Sequence, residues 1–258
     1  MGGITVNVTG NYRSKLRYKV AIRFAITGDL RFISHHDTMR LFERALARAR
    51  LPVAFSAGFN PRPRLALPLP RSVGMAAQDD LLVIQLTDRV APEQVTGRLA
   101  EQLPEGLRLS DAWELPPGGS VQPDRAVYEV ELPSESRDAV AAAAARFRAA
   151  DQWPIHREGV PGRKRREGGK TVDLRAYVCE ASVAGNVLSW TVRVTAQGSA
   201  RPVEVLSALG LEPAAWRHRV RRTHVDWHIG GAAPAAPANG CQNGADGPRP
   251  SRTVRDEC

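Results

Sequence analysis

The chain has 258 residues, and 36 Lys and Arg against 27 Asp and Glu give it a formal net charge of +9. This length allows one large domain or two of ordinary size. The basic balance favours an acidic partner, most often nucleic acid and otherwise an acidic protein surface. No window holds the roughly 18 consecutive apolar residues of a membrane span, and Met1–Lys19 lacks the apolar core of a signal peptide. We therefore expect a cytoplasmic protein with no membrane contact.

The cysteines argue against cofactor chemistry within this chain. Cys179, Cys241 and Cys258 are odd in number and widely separated. We therefore expect neither a disulfide framework nor a zinc or iron–sulfur site. Glycine-rich phosphate loops and a serine-elbow motif are missing as well. The sequence carries no complete catalytic or metal-binding motif.

The first half of the chain predicts six elements in the order β-α-β-β-α-β. Apolar and polar residues alternate from Tyr18 to Ile26, which predicts a half-buried strand. An apolar stripe predicts a helix over Ser34–Arg50, with Ser34 and Asp37 as its capping pair. A short strand, a buried strand, a helix and a last strand are predicted at Arg64–Leu69, Leu81–Leu86, Pro92–Gln102 and Leu107–Leu115.

The second half repeats this order. The predicted strand, helix, two strands, short helix and last strand are Ala126–Leu132, Ser134–Ala150, Val172–Val178, Val187–Val194, Pro202–Leu209 and Arg219–Ile229. The repeat predicts an α+β fold of two tandem ferredoxin-like plaits, residues 18–116 and 124–229, joined through Pro116–Pro123. Residues 230–258 are rich in Ala, Pro and Gly and predict a disordered tail.

The first predicted helix carries a basic ridge. Four side chains spaced by four residues share one face: His36, Arg40, Arg44 and Arg48. Such a ridge could meet phosphates, and a solvated outer face is the alternative interpretation. The candidates for catalysis are His35, His36 and Asp37, because a helix N-terminus favours the neutral imidazole of a general base or metal ligand. A metal needs a third ligand and none stands at a telling spacing, so we predict no metal site.

The stretch from Arg31 to Arg71 is strongly basic, with eight Arg against two acidic residues. Its Pro-rich loop could hold a phosphate, a carboxylate or an RNA backbone. The alternative is a structural turn that packs Phe55 and Phe59 under the sheet. The candidates for nucleic-acid or anion binding here and further along the chain are Ser56, Asn60, Arg62, Arg64, Lys164, Arg165 and Arg175.

Several segments together resemble the radical-SAM-linked protein family, a domain of unknown function found beside, or fused to, radical S-adenosylmethionine enzymes. The resemblance spans roughly Lys19 to Asp226. It is carried by Arg31–Asp37, Arg40, Arg44–Ala49, Leu51-Pro52, Phe55–Pro61, Pro68–Pro70 with Gly74, Asp173–Arg175 and Pro202–Leu206. That family more often has Leu at the position of His36 and His at that of Arg62, which makes His35 the better candidate of the histidine pair.

The resemblance implies a partner and leaves the reaction open. The iron–sulfur cluster and S-adenosylmethionine would belong to a separate radical S-adenosylmethionine enzyme, with no cofactor in this chain. We expect an accessory protein that presents an RNA, such as a tRNA or rRNA, through its basic face. Two alternatives remain: a protein-binding adaptor that does not contact RNA, and a metal-independent RNA-processing nuclease that uses His35 or His36 as the general base.

Overall fold

The computed structural model describes residues 17–158 and 169–230. Its first half contains β1 (Tyr18–Ile26), α1 (His35–Arg48), β2 (Leu65–Ala66), β3 (Ala76–Leu86), α2 (Pro92–Ala100) and β4 (Leu107–Leu115). Its second half contains β5 (Val121–Glu131), α3 (Ser134–Ala149), β6 (Pro154–Arg157), β7 (Lys170–Asp173), β8 (Val178–Ala184), β9 (Val187–Arg193), α4 (Pro202–Ala208), α5 (Pro213–Trp216) and β10 (Arg221–Ile229).

The elements with clear periodicity are confirmed. Strands β1 and β4 have the predicted bounds. Helix α1 begins after the predicted cap, where the Asp37 N–H donates to Ser34 Oγ at 3.1 Å. The strand predicted at Val172–Val178 is wrong, because a 3-10 turn over Leu174–Ala176 divides it. The Asp173 carboxylate accepts from the Arg175 N–H at 3.0 Å, and this local bond competes with strand pairing.

Over the described residues, a large, mostly antiparallel sheet of eight strands joins the two halves, which confirms the α+β class. Its order is β4-β1-β3-β10-β5-β9-β8, with β2 paired to the outer part of β3. The two halves meet where β10 lies parallel to β3, through only two residue pairs, Arg221 with Ala76 and Arg222 with Ala77. Strands β6 and β7 form a separate hairpin pair.

The apolar side chains of the described residues form three core clusters. One face of the sheet packs against the helices in two large clusters, one in each half. A third, smaller cluster lies on the opposite face, where Leu81 of β3 and Leu115 of β4 pack with Val121 and Trp227. Since Val121 and Trp227 belong to β5 and β10, the second half reaches over the face of the first half that the helices leave open.

Two further observations concern the predicted linker and tail. Strand β5 begins at Val121, inside the segment predicted as a linker. The N–H of Gly230 still donates to the Ser120 carbonyl at 3.1 Å, while residues 231–258 of the predicted tail lie outside the described residues. Within the described ranges, no helix is both long and apolar enough to cross a membrane.

Candidate functional site

A projecting arm, residues 55–63, follows helix α1. It leaves the sheet at the carboxyl end of β3, where the Ala54 N–H donates to the Gln85 carbonyl at 2.8 Å. Phe55 bridges to Pro63 at the base of the arm. The Ser56 N–H donates to the Arg62 carbonyl at 2.9 Å, and Ser56 Oγ accepts from the Arg62 N–H at 3.0 Å. Ser56, a predicted site residue, thus serves to close the neck of the arm.

The arm displays aromatic and basic side chains to solvent. Phe55 is 53% exposed and Phe59 is fully exposed, so the alternative that packed them under the sheet is wrong. Asn60 and Arg62 are exposed beside them. Two large aromatic side chains at the surface cost free energy in a monomer, and such exposure is typical of a contact surface.

The ridge on α1 is partly free. Arg40 pairs with Asp37 at 3.3 Å, and Arg48 donates to the Gln102 carbonyl at 2.7 Å. Arg44 is exposed and makes no ion pair with any residue that the structure describes. Among the described residues, the ridge therefore offers Arg44 as an unpaired cation and Arg40 as one held by an exposed pair of small strength.

The three candidates for catalysis do not share a cleft. His36 is exposed, while His35 is half-buried against the loop that precedes β3, and their rings meet edge to face at 5.9 Å. Burial lowers the pKa of His35, and the neighbouring His36 and Arg71 lower it further. The cavity beside His35 holds only about 10 Å³, far less than a substrate needs. The Ser34 hydroxyl donates a hydrogen bond to the Asp37 carboxylate at 2.7 Å, and this bond is the main cause of the lowered pKa of Asp37.

Two adjacent aspartates of β3 form the seam between the halves, and sequence reasoning missed them. Asp80 points to the helix face and accepts from Arg222 Nε at 2.8 Å and Nη2 at 2.6 Å. Asp79 points to the other face, pairs with Arg23, lies 2.8 Å from His224 Nδ1 and accepts from the Val225 N–H at 2.9 Å. The sequence signal for them was two charged residues directly before the four apolar residues 81–84 of a predicted buried strand.

The other predicted binding residues lie apart from the ridge. Arg64 sits at the base of the arm, where its Nε donates to the Phe55 carbonyl at 3.3 Å. Arg175 donates to the carbonyls of Ala150 and Val178, at 3.1 and 3.2 Å, and its guanidinium covers Phe147, which gives it a structural role in the second half. Lys164 and Arg165 lie outside the described residues.

A second exposed patch lies at the other end of β3, about 30 Å from the arm at the usual rise of a strand. Phe32 is 48% and Val73 54% exposed, and with Arg217 and His218 they line a depression of about 450 Å³. Over the described part of the chain, no group of three His, Cys, Asp or Glu side chains is placed to hold a metal ion.

Comparison with known proteins identifies one family. The family model described as "Uncharacterized protein conserved in bacteria (DUF2344)" matches residues 19–202. No curated protein gives a significant match. Among solved structures, the small subunit of acetolactate synthase from Thermotoga maritima is 13% identical with a TM-score of 0.23, covering 84% of this chain and 99% of that one. An unknown protein from Galdieria sulphuraria is 14% identical with a TM-score of 0.23, covering 83% and 97%.

Proposed function

Since this chain belongs to the uncharacterized bacterial family DUF2344, we propose its function from its own surface: it is an accessory protein that binds single-stranded RNA and presents it to a radical S-adenosylmethionine enzyme. The observation that carries the RNA part is the arm, on which the exposed Phe55 and Phe59 stand beside Arg62. Bases of any sequence stack on aromatic faces, and an adjacent Arg neutralises the backbone phosphate.

The ridge on α1 supports the same proposal. It runs along the helix that leads into the arm. Among the described residues, Arg44 has no protein partner and Arg40 has one, an exposed carboxylate. Each cation that replaces a condensed counterion on RNA contributes to affinity and makes binding depend on salt. Aromatic arm and basic ridge together suit an unpaired strand, whose bases are free to stack.

The proposed enzyme partner rests on the resemblance of the Arg31–Asp37 and Phe55–Pro61 segments to the radical-SAM-linked family. The patch of Phe32 and Val73 is the surface that we assign to it. Exposed apolar side chains of this kind are typical of a protein contact surface. Because the patch lies at the end of β3 remote from the arm, RNA and enzyme would bind to separate surfaces. Arg217 and His218 at its rim favour an acidic partner surface.

We also propose that the scaffold is two ferredoxin-like plaits joined edge to edge, each half being one plait. The strand order β4-β1-β3-β2 in the first half and β10-β5-β9-β8 in the second supports this. Each half threads its strands and helices in the β-α-β-β-α-β order of that motif, with the β6–β7 hairpin as an insertion in the second.

The test is binding of fluorescent single-stranded RNA at several salt concentrations. A Phe55→Ser, Phe59→Ser variant should lose about 1–3 kcal/mol per stacked base. An Arg44→Ala, Arg62→Ala variant should weaken binding and lower the salt slope by about one for each phosphate that it no longer neutralises. The matched control is Arg137→Ala with Arg146→Ala, which removes the same charge from the exposed face of α3. Equal weakening by the control pair, or no RNA binding at all, would refute the RNA part.

The partner surface has its own test. The tagged protein should capture a radical S-adenosylmethionine enzyme from a nuclease-treated bacterial lysate, and Phe32→Ser with Val73→Ser should abolish this while RNA binding stays intact. Nuclease treatment separates the two interactions, because a complex bridged by RNA would disappear with the RNA. Capture that survives the Phe32 and Val73 changes would place the enzyme elsewhere on the chain.

A further inference from the structure

A groove of about 640 Å³ lies between the two halves, away from the tip of the arm. Strands β1, β2 and β3 form its floor on the face that the helices leave open. The connection from β4 to β5 and the residues after β9, Val194 to Ala196, form its wall. Its volume lies within the range of small-molecule sites, and clefts between two packed units are a preferred place for them.

The floor of the groove carries a polar row across three strands. Lys19 of β1 stands opposite Gln85 of β3 in the antiparallel register. The Gln85 N–H donates to the Arg64 carbonyl at 2.9 Å, and the adjoining pair Leu65 with Ile84 fixes Arg64 opposite Gln85. Directly opposed residues point to the same face, and neighbouring strands lie about 4.8 Å apart. The row therefore places the backbones of Lys19 and Arg64 about 10 Å apart, with Gln85 between them, and their long side chains can reach toward each other along the groove.

An apolar row lies next to this polar row. Val83 lies two residues before Gln85 on β3, and Ala66 lies two residues after Arg64. Val83 and Ala66 are opposite each other in the β2–β3 register, so both side chains face the groove. Val121 and Pro123 of the wall also line the groove, and neither brings a charged group to it. The groove therefore has a cationic row and an apolar row side by side on its floor, and a matching ligand has an anionic head and an apolar body.

The two cations lack a counter-charge within the described residues. Lys19 and Arg64 are both half-buried, neither makes an ion pair there, and no Asp or Glu lines the groove. Lys19 Nζ donates one bond to the Gly119 carbonyl at 2.6 Å, and Arg64 Nε donates to the Phe55 carbonyl. The remaining donors of both side chains point to no protein acceptor among those residues. Partly desolvated cations without an anion cost free energy that a bound anion would recover.

We propose that this groove binds a small organic anion, with its carboxylate or phosphate between Lys19 and Arg64 and a short apolar body over Val83 and Ala66. Gln85 is placed to donate a third hydrogen bond to the anionic head. The ligand is a distinct small molecule, and its binding does not depend on the RNA that we assign to the arm and the ridge.

The test titrates the full chain with hexanoate, hexyl phosphate and hexylammonium and records isotope-labelled amide signals together with calorimetric heats. Hexanoate or hexyl phosphate should shift the signals of Gln85, Val121 and their neighbours, and whichever binds more tightly identifies the head group. A Lys19→Met, Arg64→Met variant keeps the apolar stems and should weaken binding about tenfold or more. The control, Arg44→Met with Arg62→Met, should leave it unchanged while it weakens RNA binding.

Several results would overturn the proposal. Hexylammonium binding as tightly as hexanoate would remove the role of the cations. The same conclusion would follow if the Lys19→Met, Arg64→Met variant bound the anion as tightly as the wild type while its thermal midpoint stayed unchanged. Signal changes confined to the arm would move the anion to the RNA surface. If the double variant unfolds, Arg64→Met alone keeps the test available, because Arg64 is half-buried and lies just before β2 at the base of the arm, outside the apolar core. A groove that binds neither anion at millimolar concentration would also refute it.

Discussion

The ion pair between Asp80 and Arg222 offers a sharp test of how the two halves hold together. Arg222 is wholly buried, and its guanidinium reaches Asp80 and the carbonyls of Leu69 and Pro70. Asp80→Asn keeps the shape of the side chain and removes its charge. Arg cannot release its proton in a protein, so the variant leaves a buried positive charge without compensation.

Breaking one partner of such a pair costs about 3–5 kcal/mol. Native domains are stable by only about 5–15 kcal/mol in total, so Asp80→Asn should remove at least about a fifth of the stability. At about 2–4 °C per kcal/mol for a chain of this size, the thermal midpoint should fall by about 10 °C. Urea unfolding followed by tryptophan fluorescence measures the change, because Trp190 is buried in the second core and Trp227 lies at the seam.

A double variant separates the pair from the packing around it. Asp80→Leu with Arg222→Met replaces both charges by apolar groups, and it should cost clearly less than the two single changes added together. The matched control is Glu114→Gln, which removes the exposed ion pair of Arg89 at 3.0 Å and should change stability by no more than about 1 kcal/mol. A loss below about 1 kcal/mol for Asp80→Asn, or full additivity in the double variant, would refute the idea that the buried charge pair joins the halves.

Two further measurements probe helix α1. Ser34→Ala removes the oxygen that accepts the Asp37 N–H, and it should lower the free energy of unfolding in urea by about 1 kcal/mol. The control is Ser134→Ala at the start of α3, where no side chain makes a capping hydrogen bond, and it should cost less than half as much. Burial lowers the pKa of His35 in the folded chain, whereas the unfolded chain keeps the ordinary His pKa near 6.5. As pH falls from 6.5 toward the lowered pKa, the unfolded chain therefore binds more protons than the folded chain, and the free energy of unfolding decreases. His35→Gln should therefore flatten the fall in thermal midpoint between about pH 7 and pH 5, and an unchanged fall would contradict this assignment.

Local pattern was sufficient for much of the scaffold. Strand β1 has the predicted bounds because its alternation places the large apolar side chains on the face that the helices cover. Helix α1 begins after Ser34 because the capping bond is local to the sequence. Strand β3 was predicted too short, since Asp79 and Asp80 break its apolar run. Their partners, Arg222 and Val225, lie more than 140 positions away in the chain, and no local pattern shows them.

The functional surfaces divide in the same way. The basic character of the arm and the ridge was visible as residue types, while the exposure of Phe55 and Phe59 was not, because a sequence does not state which aromatic side chains find a core. The groove escaped prediction for a different reason. Lys19, Gln85 and Arg64 are adjacent only through the register of three strands, and register is set by pairing between distant segments.

The seam explains why the groove exists at all. The edge of β3 is shared: β2 pairs with its carboxyl end at Ile84 and β10 with its amino end at Ala76. Two residue pairs cannot by themselves hold a second half of this size in place, so Asp79, Asp80 and the small apolar cluster on the open face must fix its position. That position sets the distance between the floor, which belongs to the first half, and the wall, which belongs to the second. The buried charges at the seam are therefore part of the groove's architecture, although none of them lines it.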